Sequence, residues 1–250
     1  MNVVDKIYFY GSLLINSWSD SFIQIIEHQK SGGSWLARIL SDYFDCTFYS
    51  SQSIGWMKKK GIVRIHPRYQ YTGKSSNQIY VLRDGRDVLT SYYFHMFYRL
   101  EISQSKYFED INNIKANMSK YLEMYYRNKL NNKIIWDSHV IYWTKIVKHI
   151  VRYEDLLVDT FGTVKRLIEE MQEKSVDERK LKSAIEKNDF KKLSGRTKGE
   201  EDSKSFFRKG ISGDWKNYFN NKSARIFNKF SGATLIKFGY EDDDSWVSRC

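Results

Sequence analysis

The chain has 250 residues, of which 41% are hydrophobic and 16% aromatic, enough apolar material for a core without disulfides or a structural metal. Its formal net charge of +11 implies a partner with negative charge, such as a nucleotide, an acidic glycan, a membrane surface or a nucleic acid. Cys46 and Cys250 lie far apart in the sequence, which argues against a disulfide framework and favours a reducing compartment. No apolar run reaches the roughly 20 residues that cross a bilayer, and the N-terminal sequence lacks the features of a signal peptide. We therefore expect a cytoplasmic protein with no membrane span.

Strand and helix patterns alternate from residue 22 onwards. FIQIIE (22–27) is apolar enough for a buried strand, and a loop with two glycines separates it from a helical pattern over about 35–43. GIVRIH (61–66) and NQIYVLR (77–83) have the composition of further strands.

The same alternation continues through the middle of the chain. A helical pattern (87–97) follows the third strand, and HIVRYEDL (149–156) predicts a strand before the helix FGTVKRLIEEMQ (161–172). This order predicts an α/β fold with a parallel central sheet flanked by helices, and such sheets bind ligands outside the carboxyl ends of their strands. The chain has one proline, Pro67, and no repeat or linker, so we expect a single domain over 1–250.

The loop HQKSGGSW (28–35) has the composition of an anion-binding turn. Backbone amides at a helix N-terminus attract anions, glycine allows close approach, and a lysine with two serines adds donors. An ordinary strand-to-helix turn that contains glycines explains KSGG equally well. The order of residues differs from the nucleoside-triphosphate motif GxxxxGK(S/T), which places lysine after the glycines and a hydroxyl next to it for magnesium.

Two further clusters combine cations with glycine. YVLRDGRDVLTSYY (80–93) places Arg83 at a strand end and Ser91 about two turns into the next helix. SFFRKGISGDWKNYF (205–219) places Arg208 and Lys209 beside Gly210. With the first loop, these clusters imply an anion with more than one phosphate and a transfer that needs no metal.

Four motifs, KSGGSW, LRDGRDVLTSYY, VRYEDL and FFRKGISGDWKNYF, occur in this order. Together they resemble the sulfotransferases that use 3'-phosphoadenosine 5'-phosphosulfate (PAPS), particularly the cytosolic type. The resemblance covers about residues 22–240, and RKGxxGDWK is its most specific motif. It implies a P-loop-like nucleotide-hydrolase fold, sulfuryl transfer from PAPS to an acceptor hydroxyl, adenosine 3',5'-bisphosphate (PAP) as the product, and no metal.

The resemblance assigns the glycine loop to the 5'-phosphosulfate end of PAPS. The residues concerned are Lys30, Ser31, Gly32, Gly33 and Ser34. It likewise assigns a clamp for the 3'-phosphate to Arg83, Ser91, Arg208, Lys209 and Gly210.

Aromatic residues are assigned to the adenine. The resemblance implies that Trp35 stacks on the base and that Tyr153 and Phe190 contact it. Two alternatives remain from the residues alone: Trp35 packs the first helix on the sheet, and VRYEDL is a structural strand end.

Sulfuryl transfer needs a base for the acceptor hydroxyl, and histidine suits neutral pH. The chain has five histidines: His28, His66, His95, His139 and His149. His66 ends GIVRIH, which resembles the family strand that ends in a lysine, one further residue and the catalytic histidine. Arg64 then stands at the lysine position and contacts the cofactor, and His66, Lys30 and Ser91 are the expected catalytic residues. The alternative for His66 is a structural role.

The sequence departs from the family pattern at several positions. Gln29 replaces a proline, Gly33 and Ser34 replace a pair of threonines, and the usual dimer signature is missing, so the oligomeric state stays open. Residues 97–136, rich in tyrosine, are predicted to form a variable lid or acceptor wall for a sugar or a phenol. The alternatives from other classes are a nucleotide kinase and a basic nucleic-acid-binding protein, although no nucleic-acid-binding motif occurs.

Overall fold

The computed structural model describes residues 22–50, 61–66, 77–101, 107–130, 134–172 and 174–250. The chain divides into two compact units, one of Met1–Arg83 and Tyr142–Lys192 and one of Asp84–Ile141 and Leu193–Cys250. Pro67 and parts of the predicted lid, 102–106 and 131–133, lie outside the described residues.

The first unit contains a five-stranded sheet in the order β2-β3-β1-β4-β5, and all neighbouring strands are parallel. The strands are β1 (Phe22–Glu27), β2 (Thr47–Tyr49), β3 (Gly61–Ile65), β4 (Gln78–Leu82) and β5 (His149–Arg152). The predicted fold class is therefore confirmed, together with the four predicted strands. Strand β2 was not predicted, because its three residues are too few to carry a periodic pattern.

The strand register brings the carboxyl ends of the central strands to one edge of the sheet. Ile26 pairs with Ile65, Glu27 with Val81, and Leu82 with Arg152. The residues that follow these strands, among them His66, Arg83 and Tyr153, therefore start from the same edge. This is the edge where a parallel α/β sheet binds its ligands.

The helices, in chain order, are α1 (Gly33–Tyr43), α2 (Gly85–Phe94), α3 (Ile114–Tyr126), α4 (Trp136–Trp143), α5 (Tyr153–Val158), α6 (Thr160–Gln172), α7 (Glu178–Lys187), α8 (Phe190–Ser194) and α9 (Asn221–Lys237). The predicted helices correspond to α1, α2 and α6. The prediction that YEDL continues strand β5 is wrong, because these residues begin α5. Glu154 and Asp155 lie in its first turn, where acidic side chains favour a helix start.

Helix α1 packs on the sheet of the first unit through an apolar stripe. Leu36, Ile39, Leu40 and Tyr43 are buried, at the spacing expected for one face of an amphipathic helix. They share a core with residues of the strands and of α6 and α7, including Ile25, Ile79, Val81, Val164, Leu167, Ile168 and Leu181.

The second unit is helical in its described part. A π-helical turn (His95–Arg99) continues α2, and α3 packs against α9. Tyr126 of α3 stacks on Phe230 of α9 with ring centroids 4.4 Å apart. Helix α9 begins with a capping box, in which Asn220 and Ser223 exchange side-chain and main-chain hydrogen bonds.

Across the described ranges, every helix is too short or too polar to traverse a lipid bilayer.

Candidate active site

The glycine loop after β1 makes a tight turn before α1. The Ser31 amide donates to the carbonyl of His28 over 3.2 Å, and the Trp35 amide donates to the carbonyl of Gly32 over 3.0 Å. Lys30 has φ 75°, in the left-handed region that costs a non-glycine residue roughly 1–2 kcal/mol. Gly32 has φ 99°, which glycine adopts without that cost. The loop therefore has a specific conformation that orients its amides at the start of α1.

Glu27, the last residue of β1, places its carboxylate on this helix start. Oε2 accepts a hydrogen bond of 2.6 Å from the amide of Gly33, and Oε1 lies 3.2 Å from Nη1 of Arg64. The Glu27 side chain is 2% exposed. A carboxylate at this position stabilises the helix start. It accepts a hydrogen bond from an amide that has no partner within the helix, and its negative charge is attracted to the positive end of the helix dipole.

Arg83 and Tyr153 support the same loop from neighbouring strand ends. Nη1 of Arg83 donates to the carbonyl of Lys30 over 3.0 Å, and its guanidinium lies 4.2 Å from the ring centroid of Tyr153. A side chain on Gly32 would overlap the Tyr153 ring, so this close contact needs glycine. The structure therefore brings together residues from three predicted motifs.

Trp35 and Phe190 lie beside this group in the first unit. The Trp35 ring contacts Tyr153 edge-on, with centroids 6.2 Å apart, and its Nε1 donates to the carbonyl of Asn188 over 2.9 Å. Trp35 also packs against the core under α1, so the alternative of a packing role describes part of its contacts. Phe190 is buried two residues after Asn188, at the start of α8.

His66 follows β3 with its ring orientation set by the main chain. Its Nδ1 lies 3.1 Å from the carbonyl oxygen of Glu27. A carbonyl oxygen only accepts, so Nδ1 carries the proton and Nε2 keeps its lone pair. Desolvation and the charge of Arg64 lower the pKa of His66 from 6.5 to about 3; the charge of Lys30 adds to this and the bond to Glu27 opposes it. His66 is therefore a neutral imidazole at neutral pH, with Nε2 as its acceptor nitrogen.

In the second unit, Arg208 and Lys209 surround a buried carboxylate. Asp214 accepts a short hydrogen bond from Nη2 of Arg208 and one of 2.7 Å from Nζ of Lys209. Glu201 lies 3.2 Å from Nη1 of Arg208 and 3.5 Å from Nζ of Lys209. Burial tends to raise the pKa of Asp214, but the charge of Arg208 and the bonds to both cations hold it below its ordinary value. Gly210, next in the chain, has φ 68°.

Helix α2 carries the predicted residue Ser91 into the same part of the second unit. Ser91 is buried, and Phe94, one helical turn later, lies 4.3 Å from the guanidinium of Arg208. Asp87 of α2 accepts from the amides of Gly213 and Trp215 over 2.6 Å and 2.9 Å. Asp87 therefore fixes the turn that carries Asp214.

Two tyrosines of the predicted acceptor wall are core residues instead. Tyr121 and Tyr125 of α3 are fully buried, and their hydroxyls donate to the carbonyls of Leu89 and Ile134. Burial raises the pKa of both well above the ordinary value. The lid itself stays a prediction.

The part of the chain that the structure describes contains no group of three or more His, Cys, Asp or Glu side chains placed to hold a metal ion.

A family model described as "Sulfotransferase domain" matches residues 57–239. The chain belongs to the sulfotransferase domain family. Human Sulfotransferase 1C2 is 26% identical over 184 residues, which are 65% of this chain and 57% of the relative. Human Sulfotransferase 2A1 is 22% identical over 253 residues, which are 84% of this chain and 82% of the relative. The matched part of this sulfotransferase domain thus spans little more than half of the first relative's length.

Among solved structures, mouse sulfotransferase SULT7A1 complexed with PAP superimposes on the sulfotransferase domain with a TM-score of 0.68. The two are 19% identical, and the match covers 91% of this chain and 89% of the mouse chain. At this identity the likeness establishes the fold, and the predicted P-loop-like architecture is confirmed.

Three carboxylates in these contacts, Glu27, Asp87 and Asp214, were not predicted from the sequence. Asp87 and Asp214 belong to quoted motifs, so pairing each motif cation with a nearby carboxylate would have found Asp214. Glu27 had no comparable signal, because its partners follow it by 6 and 37 residues.

Proposed function

We propose that this chain is a PAPS-dependent sulfotransferase that moves the sulfuryl group to an acceptor hydroxyl. The observation that carries the proposal is the carboxyl edge of the sheet, where the loop after β1, Arg83 and Tyr153 lie with a neutral His66. Membership in the sulfotransferase domain family supports the reaction, and the PAP complex of the mouse neighbour supports the nucleotide.

The residues of the first unit suit a phosphate-linked anion. The loop directs amides toward the start of α1, and Lys30 adds a positive charge. The Gly33 amide already binds a carboxylate of the chain itself, so this helix end accommodates an anionic group. When bound, PAPS supplies an activated sulfuryl group, and the chain's own residues orient it and manage the proton.

In this proposal His66 is the base. Its protonated Nδ1 is held by the Glu27 carbonyl, which leaves Nε2 to take the proton from the acceptor hydroxyl. Lys30 and Arg64 neutralise negative charge that develops on the donor side as the bond to sulfur breaks. Ser91 assists with its hydroxyl.

The remaining assigned residues bind the nucleotide. Ser31, Gly32, Gly33 and Ser34 hold the 5' end with Lys30. Arg83, Ser91, Arg208, Lys209 and Gly210 hold the 3'-phosphate. Trp35, Tyr153 and Phe190 contact the adenine.

The acceptor carries a hydroxyl on a small alcohol, a phenol or a glycan. The net charge of +11 favours an acidic glycan among these. We also place the reaction in the cytoplasm, in keeping with the free thiols of Cys46 and Cys250.

Thermal unfolding with PAP, ATP and a single-stranded oligonucleotide tests the class of protein, because a ligand stabilises only a fold that binds it. We expect PAP at micromolar concentration to raise the unfolding temperature, with no change from ATP or the oligonucleotide. Stabilisation by ATP alone would favour a kinase, and by the oligonucleotide alone a nucleic-acid-binding protein.

Transfer of labelled sulfate from PAPS to a panel of phenols, alcohols and glycans tests the activity. Lys30→Ala and His66→Ala should each lower turnover by about 100-fold or more while PAP still binds. Lys182→Ala, an exposed lysine of α7, is the matched control and should leave turnover unchanged. Near-normal turnover in His66→Ala would remove His66 as the base.

A further inference from the structure

Glu27 holds the two groups that the proposed function assigns to the donor end of PAPS. Its Oε2 accepts from the Gly33 amide over 2.6 Å, and its Oε1 lies 3.2 Å from Nη1 of Arg64. The side chain is almost completely buried, so it has little alternative contact with water. An internal carboxylate thus sits on the donors of the expected anion site.

A second anion at this place would meet Glu27 as a like charge. The 5' end of the nucleotide needs the amides at the start of α1 for the reason that Glu27 uses one, since free N–H groups and the helix dipole attract negative charge. Solvent screens charges weakly inside a protein, so two anions at one helix end repel each other strongly.

The absence of a side chain at Gly33 leaves space for the Glu27 carboxylate. A Cβ on Gly33 would lie 2.7 Å from Cδ of Glu27, closer than carbon atoms approach. The glycine that stands in place of the family's threonine at position 33 is therefore what admits Glu27 to the helix start. The pair Glu27 and Gly33 is a joint feature of this chain.

We propose that Glu27 is a specificity-determining residue that competes with the nucleotide's 5' anion for the Gly33 amide and for Arg64. This inference rests on the proposed function, and it concerns how strongly the site binds the 5' end of the nucleotide relative to the 3' end. In the free protein Glu27 occupies both donors, and the arriving 5' group displaces it. Compared with a site that lacks this carboxylate, the protein binds the 5' end of the nucleotide more weakly and the 3' end equally well. The product PAP therefore dissociates faster.

Glu27→Gln tests this competition, because it keeps the shape of the side chain and an oxygen for the Gly33 amide but removes the charge. Affinities for PAP, adenosine 3'-phosphate and inorganic pyrophosphate are measured by calorimetry at one pH and one salt concentration. We expect PAP and pyrophosphate to bind about 5- to 50-fold more tightly to the variant. Adenosine 3'-phosphate, which lacks the 5' group, should bind as it does to the wild type.

Glu170→Gln is the matched control, since it removes one negative charge at a side chain that is 60% exposed in the same unit. It should leave all three affinities unchanged. Glu27→Ala is the second variant if Glu27→Gln folds poorly by thermal unfolding, and it should tighten the same two ligands.

The outcomes separate the two proposals. Unchanged or weaker binding of PAP and pyrophosphate in the Glu27 variants would overturn the role of Glu27 and leave the proposed function intact. Equal tightening of all three ligands would also overturn it, because the effect would not come from the 5' end. A wild type that binds pyrophosphate but not PAP would overturn the proposed function, while tighter pyrophosphate binding in the variant would still support the role of Glu27.

Discussion

The position of His66 determines its protonation. The ring follows the last residue of β3, so its Nδ1 meets the main-chain oxygen of Glu27 on the neighbouring strand. Desolvation, together with the charges of Arg64 and Lys30, then disfavours the imidazolium. The cations that we expect to bind an anion therefore also keep the expected base free of a second proton.

This environment makes stability depend on the protonation of His66. The pKa of His66 is about 3 in the folded protein and about 6.5 in the unfolded chain. Between these values only the unfolded chain binds the proton, so the free energy of unfolding should decrease as the pH falls from 6.5 to 3. His66 contributes at most about 1.4 kcal/mol per pH unit to the change in the free energy of unfolding, and contact of its ring with solvent makes this contribution smaller.

Urea unfolding at several pH values, with the wild type and His66→Asn, measures this effect. Asparagine still donates to the Glu27 carbonyl but does not titrate. The variant should lose less stability than the wild type between pH 6.5 and pH 4. Parallel curves for the two proteins would contradict the depressed pKa.

Gly33 and Glu27 should be energetically coupled. Alanine normally favours a helix over glycine, but a Cβ at position 33 would displace the Glu27 carboxylate from its amide. We expect Gly33→Ala to lower the free energy of unfolding by about 1–2 kcal/mol in the wild type and to have no such cost in Glu27→Ala. Equal effects of Gly33→Ala in both backgrounds, measured by urea unfolding, would show that the two residues act independently.

At the scale of elements, the first turn of α2 organises the second unit. The guanidinium of Arg86 lies against the rings of both Trp215 and Trp246, at 3.9 Å and 4.7 Å from their centroids. Asp87 holds the turn that carries Asp214, and Asp214 in turn binds Arg208. The position of one expected phosphate-binding cation thus depends on a carboxylate two contacts away.

Loss of Asp87 should therefore cost both stability and affinity. Asp87→Ala removes the acceptor of two amides in a buried setting, and we expect the free energy of unfolding to decrease by about 2–4 kcal/mol. Affinity for adenosine 3'-phosphate should decrease as well, because Asp214 loses its fixed position. Asp242→Ala, at an exposed site, is the control for urea unfolding and calorimetry. A change under about 0.5 kcal/mol in Asp87→Ala would contradict this role.

The sequence predicted those elements and residues whose signal is local. Strands β1, β3 and β4 were recognisable as apolar runs, and the order of the motifs led to Lys30, Arg83 and Tyr153, which the structure brings together. The start of α5 was missed because the helix begins at Tyr153, directly after the last residue of β5, with no turn residue between them. Contacts such as those of Glu27 depend on strand pairing, which a single sequence does not reveal.

At the scale of the whole molecule, three of the expected site cations lie beside carboxylates of the chain, although its net charge is +11. Arg64 faces Glu27, and Arg208 and Lys209 face Asp214 and Glu201. Each of these cations therefore has a carboxylate of the chain beside it. The charge balance indicated an anionic partner, but carboxylates close to the cations moderate how strongly these positions attract it.

The first unit is assembled from two separate stretches of the chain. The chain leaves the first unit after Arg83, returns at Tyr142 and leaves again after Lys192. Residues 142–192 contribute β5 and the helices α5, α6 and α7. Leu167 of α6 and Leu181 of α7 share the core of α1, so a fragment that ends at residue 141 exposes that core.

A fragment of residues 1–141 should therefore fail to fold, although it contains four of the five strands. We expect it to unfold without a cooperative thermal transition and to bind a hydrophobic dye, whereas the full chain unfolds cooperatively. Val158→Ala in the full chain is the control, because this side chain is 89% exposed and should leave the transition unchanged. Leu167→Ala should lower the free energy of unfolding by about 2–4 kcal/mol, through the cavity it leaves among α1, α6 and α7. A cooperative transition of the 1–141 fragment close to that of the full chain would mean that β5 and its following helices are dispensable for the sheet.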